Sequence, residues 1–256
     1  TKSFVKSKNP CADGFRWYLR HHREGSDYQQ VLDALVAEGR IADACWLLDK
    51  VGPANTVLHL DHLECDALVF AGSIDVRGSV EVGGTLRVGG SIRVGGTLRA
   101  GAEIAAVDAI KAGGGIHCEG PVRCGGTLVA DWRSLAVRGA LDSSGSVRTA
   151  QGLICGAGVA CGGHIDAGWG IKCGADVVAA AAIRAGESIE AGGAIEAGPG
   201  YGVFAGLCVQ AQDRETSARV TATARPSRLM SGFWTGGAAG ASLQDARSTR
   251  EQRHAH

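Results

Sequence analysis

SVEVGGTLRVGGSIRVGGTLRAGA, residues 79–102, states one six-residue phrase four times. The phrase is a large aliphatic residue, a polar one, a small apolar one, a glycine and two more. Residues two apart point the same way on a strand, so Leu86 and Val88 share a side and Arg87 takes the other. A strand of about three residues followed by a turn makes one side of a coil. Three sides close a triangle, so 3 × 6 gives about 18 residues per coil. The phrase predicts a mainly β fold, a single-stranded triangular β-helix (β-solenoid). Glycine after each apolar pair is expected to supply a corner with positive φ.

Working outward, large aliphatics recur every six residues from Ile74 to Leu128. One residue is inserted near 132–134, and the series resumes at Leu135 and runs to Ile195. Paired residues from Leu58/Leu60 to Leu68/Phe70 extend the strand period back to Val57. The repeat predicts roughly eight coils, a rod on the order of 40 Å long at one strand spacing per coil. A charge at Ile165 or Ile171 is expected to unfold it.

The flanks read differently. Residues 1–10 are expected to be flexible. Asn9 and Pro10 read as N-cap and first residue of a helix bearing Phe15, Trp17, Tyr18 and Leu19. Gly25 breaks it, and Ser26 caps a second helix that ends at Gly39. A third, with Ile41, Cys45 and Leu48 on one face, stops at Gly52-Pro53. The expected layout is a three-helix module at 11–53, a solenoid at 57–209, a C-terminal cap at 210–235 and a flexible tail at 236–256.

Lys plus Arg equals Asp plus Glu, 26 each, so no global field draws the chain to nucleic acid or anionic lipid. No stretch suits a membrane span, and no secretory leader is visible. Most of the nine cysteines sit on inward positions, which predicts buried reduced thiols and a cytoplasmic protein.

The period places Cys118, Val137, Cys155 and Cys173 in one column, and Cys124, Ser143 and Cys161 in the next. A disulfide or thiolate site competes there with a plainer reading, cysteine as a small buried hydrophobe, which is preferred. His59, His62 and Cys65 have metal-like spacing, but residues 59 and 62 face opposite ways on a strand. Cys11, His21, His22 and Cys45 carry no specific spacing. Hexapeptide acyltransferases and carbonic-anhydrase-like enzymes need histidines in register, whereas His117 and His164 fall in different columns. No cofactor, metal site or catalytic set is expected. The candidate interaction surface is Trp132, Trp169, Arg87, Arg93, Arg99, Tyr201, Phe204 and Trp234, on a rod whose early coils read basic and later coils acidic.

The Gly-Gly corners of SVEVGGTLRVGGSIRVGG resemble the β-helical core of bactofilins, bacterial polymer-forming proteins. The resemblance spans about 57–209 and implies a non-enzymatic scaffold whose partner is itself or another protein. A helical module docked on the first coil is expected to cover that end and limit growth to a dimer. The alternative is a binding module or secreted effector that recognises a glycan or host surface through Trp132 and Trp169. A hexapeptide-type acyltransferase ranks last.

Overall fold

The computed structural model describes residues 2–22 and 27–236. The repeat folds as a parallel β-solenoid with three sheets. Face 1 runs from Val57–Leu60 to Leu229–Ser231, and face 2 from Leu63–Cys65 to Phe233–Trp234, with ten strands each. Face 3 runs from Leu68–Phe70 to Ile195–Glu196 and has eight. The register is the one the repeat requires: Ile92 pairs with Ile110, and Ile110 with Leu128, one coil at a time.

The extra residue at 131–134 is absorbed in a corner. Leu128 pairs with Val147 and Ile116 with Leu135, so the step grows by one residue while inward residues still meet inward residues. A slip within a strand would have turned a buried column outward, so the insertion is tolerated only in a turn. The aliphatic ladder, Ile92, Ile110 and Leu128 among others, is fully buried. Each coil closes a layer of the next coil's core.

The solenoid is longer than the repeat alone predicts. Arg219–Thr221, Leu229–Ser231 and Phe233–Trp234 add further strands where a cap was expected, making ten coils rather than eight. These strands keep the inward pairing, Val203 with Leu229 and Val220 with Trp234, after the hexapeptide phrase is lost. Nine gaps of one strand spacing give a rod of about 43 Å.

The corner glycines also work differently from expectation. Among the described glycines only 39, 52, 200, 206, 232 and 236 have positive φ, and the regular corners do not. Close stacking is the reason instead. A Cβ on Gly95 would sit 2.0 Å from the carbonyl oxygen of Arg77, one coil below. Arg77, Val107 and Ala180 occupy equivalent corners, so the geometry can yield locally.

The N-terminal module has four helices, not three: α1 (Lys2–Ser7), α2 (Ala12–His21), α3 (Tyr28–Ala37) and α4 (Ile41–Val51). Residues expected to be flexible form α1, because Val5 packs on the apolar core of the other three helices. Cys11, not Asn9, is the N-cap of α2, accepting the Gly14 N–H on its sulfur, while Asn9 takes φ 58°. Asp27 caps α3 through Gln29 N–H, in place of Ser26. Gly25, Ser26 and the expected tail beyond Gly236 lie outside the described residues. Gly39 ends α3 at φ 72°, as its position predicts. The buried side of α4 is Ala44, Leu47 and Leu48, with Ile41 and Cys45 only partly covered.

The module docks on the side of the prism. Its core includes Val69 and Ala71, from the outer surface of the first strand of face 3, and not the inward residues of that coil. Those residues, Leu58, Leu60, Leu63, Cys65, Leu68 and Phe70, belong to the solenoid core and remain partly exposed at its N-terminal end. The expected covering of that end is therefore partial.

Candidate functional site

The module is tied to face 3 by two polar contacts. The Gln29 carboxamide donates to the Val69 carbonyl at 3.0 Å and accepts the Ala71 N–H at 2.9 Å. Arg87, one coil above Val69, pairs with Asp49 of α4, and its side chain is only 20% exposed. Arg87 thus belongs to the docking contact and not to an open surface.

The other two arginines lie in ladders of mixed charge. Arg93 faces Asp75 below and Lys111 above on face 1. Arg99 faces Glu81 below and His117 above on face 2. Ion pairs between coils form at other positions: Lys111–Asp131 at 3.1 Å, Arg123–Glu103 at 2.6 Å and Arg184–Asp166 at 3.3 Å. Exposed pairs of this kind contribute about 0–1 kcal/mol each. They pair Lys111, Arg123 and Asp166 with opposite charges one coil away, so the basic-to-acidic gradient read along the chain is neutralised in part.

The aromatic candidates separate into two groups. Trp132 and Trp169 are 77% and 52% exposed, and both stand on the edge between faces 1 and 2. The rest gather near the C-terminal end. Tyr201 meets His164 edge-on with ring centres 5.6 Å apart, and Phe204 is half-buried on the last strands of face 1. Trp234 turns inward opposite Val220 and roofs the core. It packs on the core, partly buried, where an interaction surface was expected from the sequence.

The cysteine columns form as the period requires. Cys118, Val137, Cys155 and Cys173 are successive register partners on face 2, as are Cys124, Ser143 and Cys161 on face 3. All nine cysteines are free. The sequence did not show why sulfur or hydroxyl is tolerated in the small position. Each such group reaches the carbonyl of the corner one coil below: Cys124 to Asp108 at 3.0 Å, Cys161 to Gly145 at 2.9 Å, Ser143 to Gly126 at 2.8 Å and Thr149 to Arg133 at 2.8 Å. Burial pushes the thiols of Cys118, Cys124 and Cys161 up from the ordinary value. Cys155 and Cys173 are register partners, and each thiol donates to the carbonyl of the corner one coil below, Cys155 to Gly139 at 3.2 Å and Cys173 to Ala157 at 2.7 Å.

His59 lies 3.7 Å from Asp75, and His62 stands apart at the corner beside Gly78. Among the described residues no three His, Cys, Asp or Glu side chains converge as metal ligands. The helical module forms a half-open, mainly apolar pocket of about 160 Å³ between Val5, Trp17, Tyr18, Tyr28, Leu35 and Trp46. An open trough of about 980 Å³ runs along face 3 over Ala105, Ala160 and Val178. Among the described residues no helix is long and apolar enough to cross a membrane.

The comparisons with known proteins add one finding, and it falls on the helices. No curated protein and no solved structure matches the chain. The family model of the YdhT N-terminal domain matches residues 1–52, the segment that builds the four-helix module on face 3.

Proposed function

We propose that this protein is a non-enzymatic scaffold: a rigid β-solenoid that associates with further copies of itself through its N-terminal end. One observation carries the reading. Val57–Leu60 and Leu63–Cys65 are end strands of their sheets, each with a neighbour on one side only, above a partly exposed layer of leucines. An open strand edge over apolar side chains is a template for pairing with another chain. On face 3 the same edge is closed by Gln29, so the open surface is confined to two sides.

Charge supports a copy-to-copy contact of opposite ends. The first coil, 57–70, carries Asp61, Glu64 and Asp66 and no Lys or Arg, while Arg219, Arg225 and Arg228 are exposed on the last coils. Contacts of like ends would set acid against acid, whereas opposite ends attract. The free thiols, including the register pair Cys155 and Cys173, support placement in a reducing compartment.

Sedimentation velocity over a range of protein and salt concentrations tests the proposal. Association that grows with concentration and weakens with salt is expected, and Val57→Lys with His59→Lys should abolish it while leaving the circular dichroism spectrum unchanged. A monomer at all concentrations would overturn the reading.

A further inference from the structure

The middle residue of each corner is small almost everywhere. On the edge between faces 2 and 3 it is glycine or alanine in every coil from Gly84 to Gly193. The edge between faces 1 and 2 begins in the same way, with Gly78, Gly96 and Gly114. It then changes to Trp132, Gln151, Trp169 and Glu187 on four successive coils. Backbone hydrogen bonds fix the stack: Trp169 N–H donates to Gln151 O at 3.2 Å, and Glu187 N–H to Trp169 O at 3.3 Å. The Ser134 hydroxyl donates to the Gln151 side-chain oxygen at 3.4 Å, tying the inserted corner of Trp132 to the next coil. The only inserted residue of the repeat thus lies in the corner that carries the first of these tryptophans.

Two large indoles held out from a rigid edge, 77% and 52% exposed, keep apolar surface in water that a core position would bury. They stand two coils apart, about 10 Å along the axis, with a polar Gln151 between them and Glu187 beyond. The flanking strands are in register coil by coil, Ala130 with Thr149 and Thr149 with Ala167, which sets the rise between the two corners.

We infer that this edge is a binding site for a β-1,4-linked hexopyranose chain. Each ring advances such a chain by about one strand spacing, ~5 Å. Successive rings are turned by about half a turn, so every second ring presents the same face. Two indoles two coils apart therefore meet two equivalent C–H faces, and the Gln151 amide and Glu187 carboxylate meet the hydroxyls between and beyond them. An aromatic surface with an adjacent polar handle suits a ligand that is apolar on its ring face and polar at its rim. An α-1,4-linked chain curves and presents no such repeat. This site is independent of the self-association proposed above, which uses the end of the rod and not its edge.

Calorimetric titration of the whole chain with cellohexaose, N-acetylchitohexaose, maltohexaose and laminarihexaose tests the inference. Binding of one or both β-1,4 hexamers is expected, with maltohexaose and laminarihexaose at least tenfold weaker. Trp132→Ala and Trp169→Ala should each weaken binding at least tenfold, about 1.4 kcal/mol, without altering the thermal midpoint. The double variant Gln151→Trp with Trp169→Gly keeps two indoles but places them one coil apart, and it should lose affinity to the same extent. The site is refuted by no heat at millimolar β-1,4 sugar, by equal binding of maltohexaose, or by unchanged affinity in the tryptophan variants. Self-association that depends on Trp132 and Trp169 without sugar would equally assign the edge to a second copy and overturn the proposal.

Discussion

Gln29 lies beside Ala71 as a neighbouring strand would. Its side-chain oxygen accepts the Ala71 N–H at 2.9 Å while its nitrogen donates to the Val69 carbonyl at 3.0 Å. One carboxamide has the donor and acceptor of one peptide unit, so it closes an edge that would otherwise need another coil. Gln29→Glu keeps the acceptor and loses the donor, and Gln29→Leu loses both. Each should cost about 1–3 kcal/mol, because the strand groups are left without a partner beneath the helices. Hydrogen exchange at Ala71 should quicken in Gln29→Leu, which removes its acceptor, and stay slow in Gln29→Glu, while exchange at Ile110 stays unchanged in both.

Gly95 and Gly152 separate close approach from conformational freedom. A Cβ at 95 would meet the Arg77 carbonyl at 2.0 Å, whereas the nearest atom to one at 152 is 3.5 Å away. Neither glycine has positive φ. Gly95→Ala should destabilise by about 1–3 kcal/mol through overpacking between coils, and Gly152→Ala by less than about 0.5 kcal/mol. Urea melts of the two variants, compared side by side, check this.

Cysteine accessibility spans a wide range, with Cys45 and Cys65 in between. Cys11 and Cys208 are exposed, whereas Cys118, Cys124, Cys155, Cys161 and Cys173 are buried with no disulfide among them. An aromatic disulfide reagent should label the first two rapidly in native protein and the buried five only on unfolding. Rapid native labelling of Cys161 would show that the coils open locally.

Ile165 is fully buried between Val147 and Ile183 in the face 1 ladder. Ile165→Ala should cost about 2–5 kcal/mol through the cavity it leaves. Ile165→Asp adds a buried, unpaired charge and should abolish cooperative folding of the later coils. The helical module, whose contacts end five coils away at Arg87, should keep its exchange protection.

Tyr28 supplies a pH signature for the module. Its hydroxyl donates to the Gly52 carbonyl at 3.2 Å, and burial, helped by Asp49, raises its pKa to about 12. The folded module holds the phenol proton more tightly than the unfolded chain, whose value is near 10. The stabilisation is fully present below pH ~10 and is lost between pH ~10 and 12. Melting followed in that window should show a decline that Tyr28→Phe removes.

The chain itself determined the solenoid. A strand has a side-chain period of two and each side of the coil a length of six, so alternation of Leu86, Arg87 and Val88 identifies inside, outside and turn with no further information. Even the column partners of Cys155 could be counted out, because stacking is local and repeats by addition. Tertiary structure decided what breaks that addition. The last coils, at Val220 and Trp234, keep inward pairing after the phrase disappears, because existing strands template further ones. The corner glycines are required by the coil beneath them, a contact 18 residues away that no local rule of φ reveals. The position of the helices on Val69, rather than across the end of the prism, rests on contacts distant in sequence: Gln29 matching a strand edge 40 residues away, Asp49 pairing with Arg87, and Val69 and Ala71 packing into the helical core. Trp132 and Trp169 were visible as odd residues in a repeat. That they share one edge, two coils apart, follows from the stacked register of the folded chain.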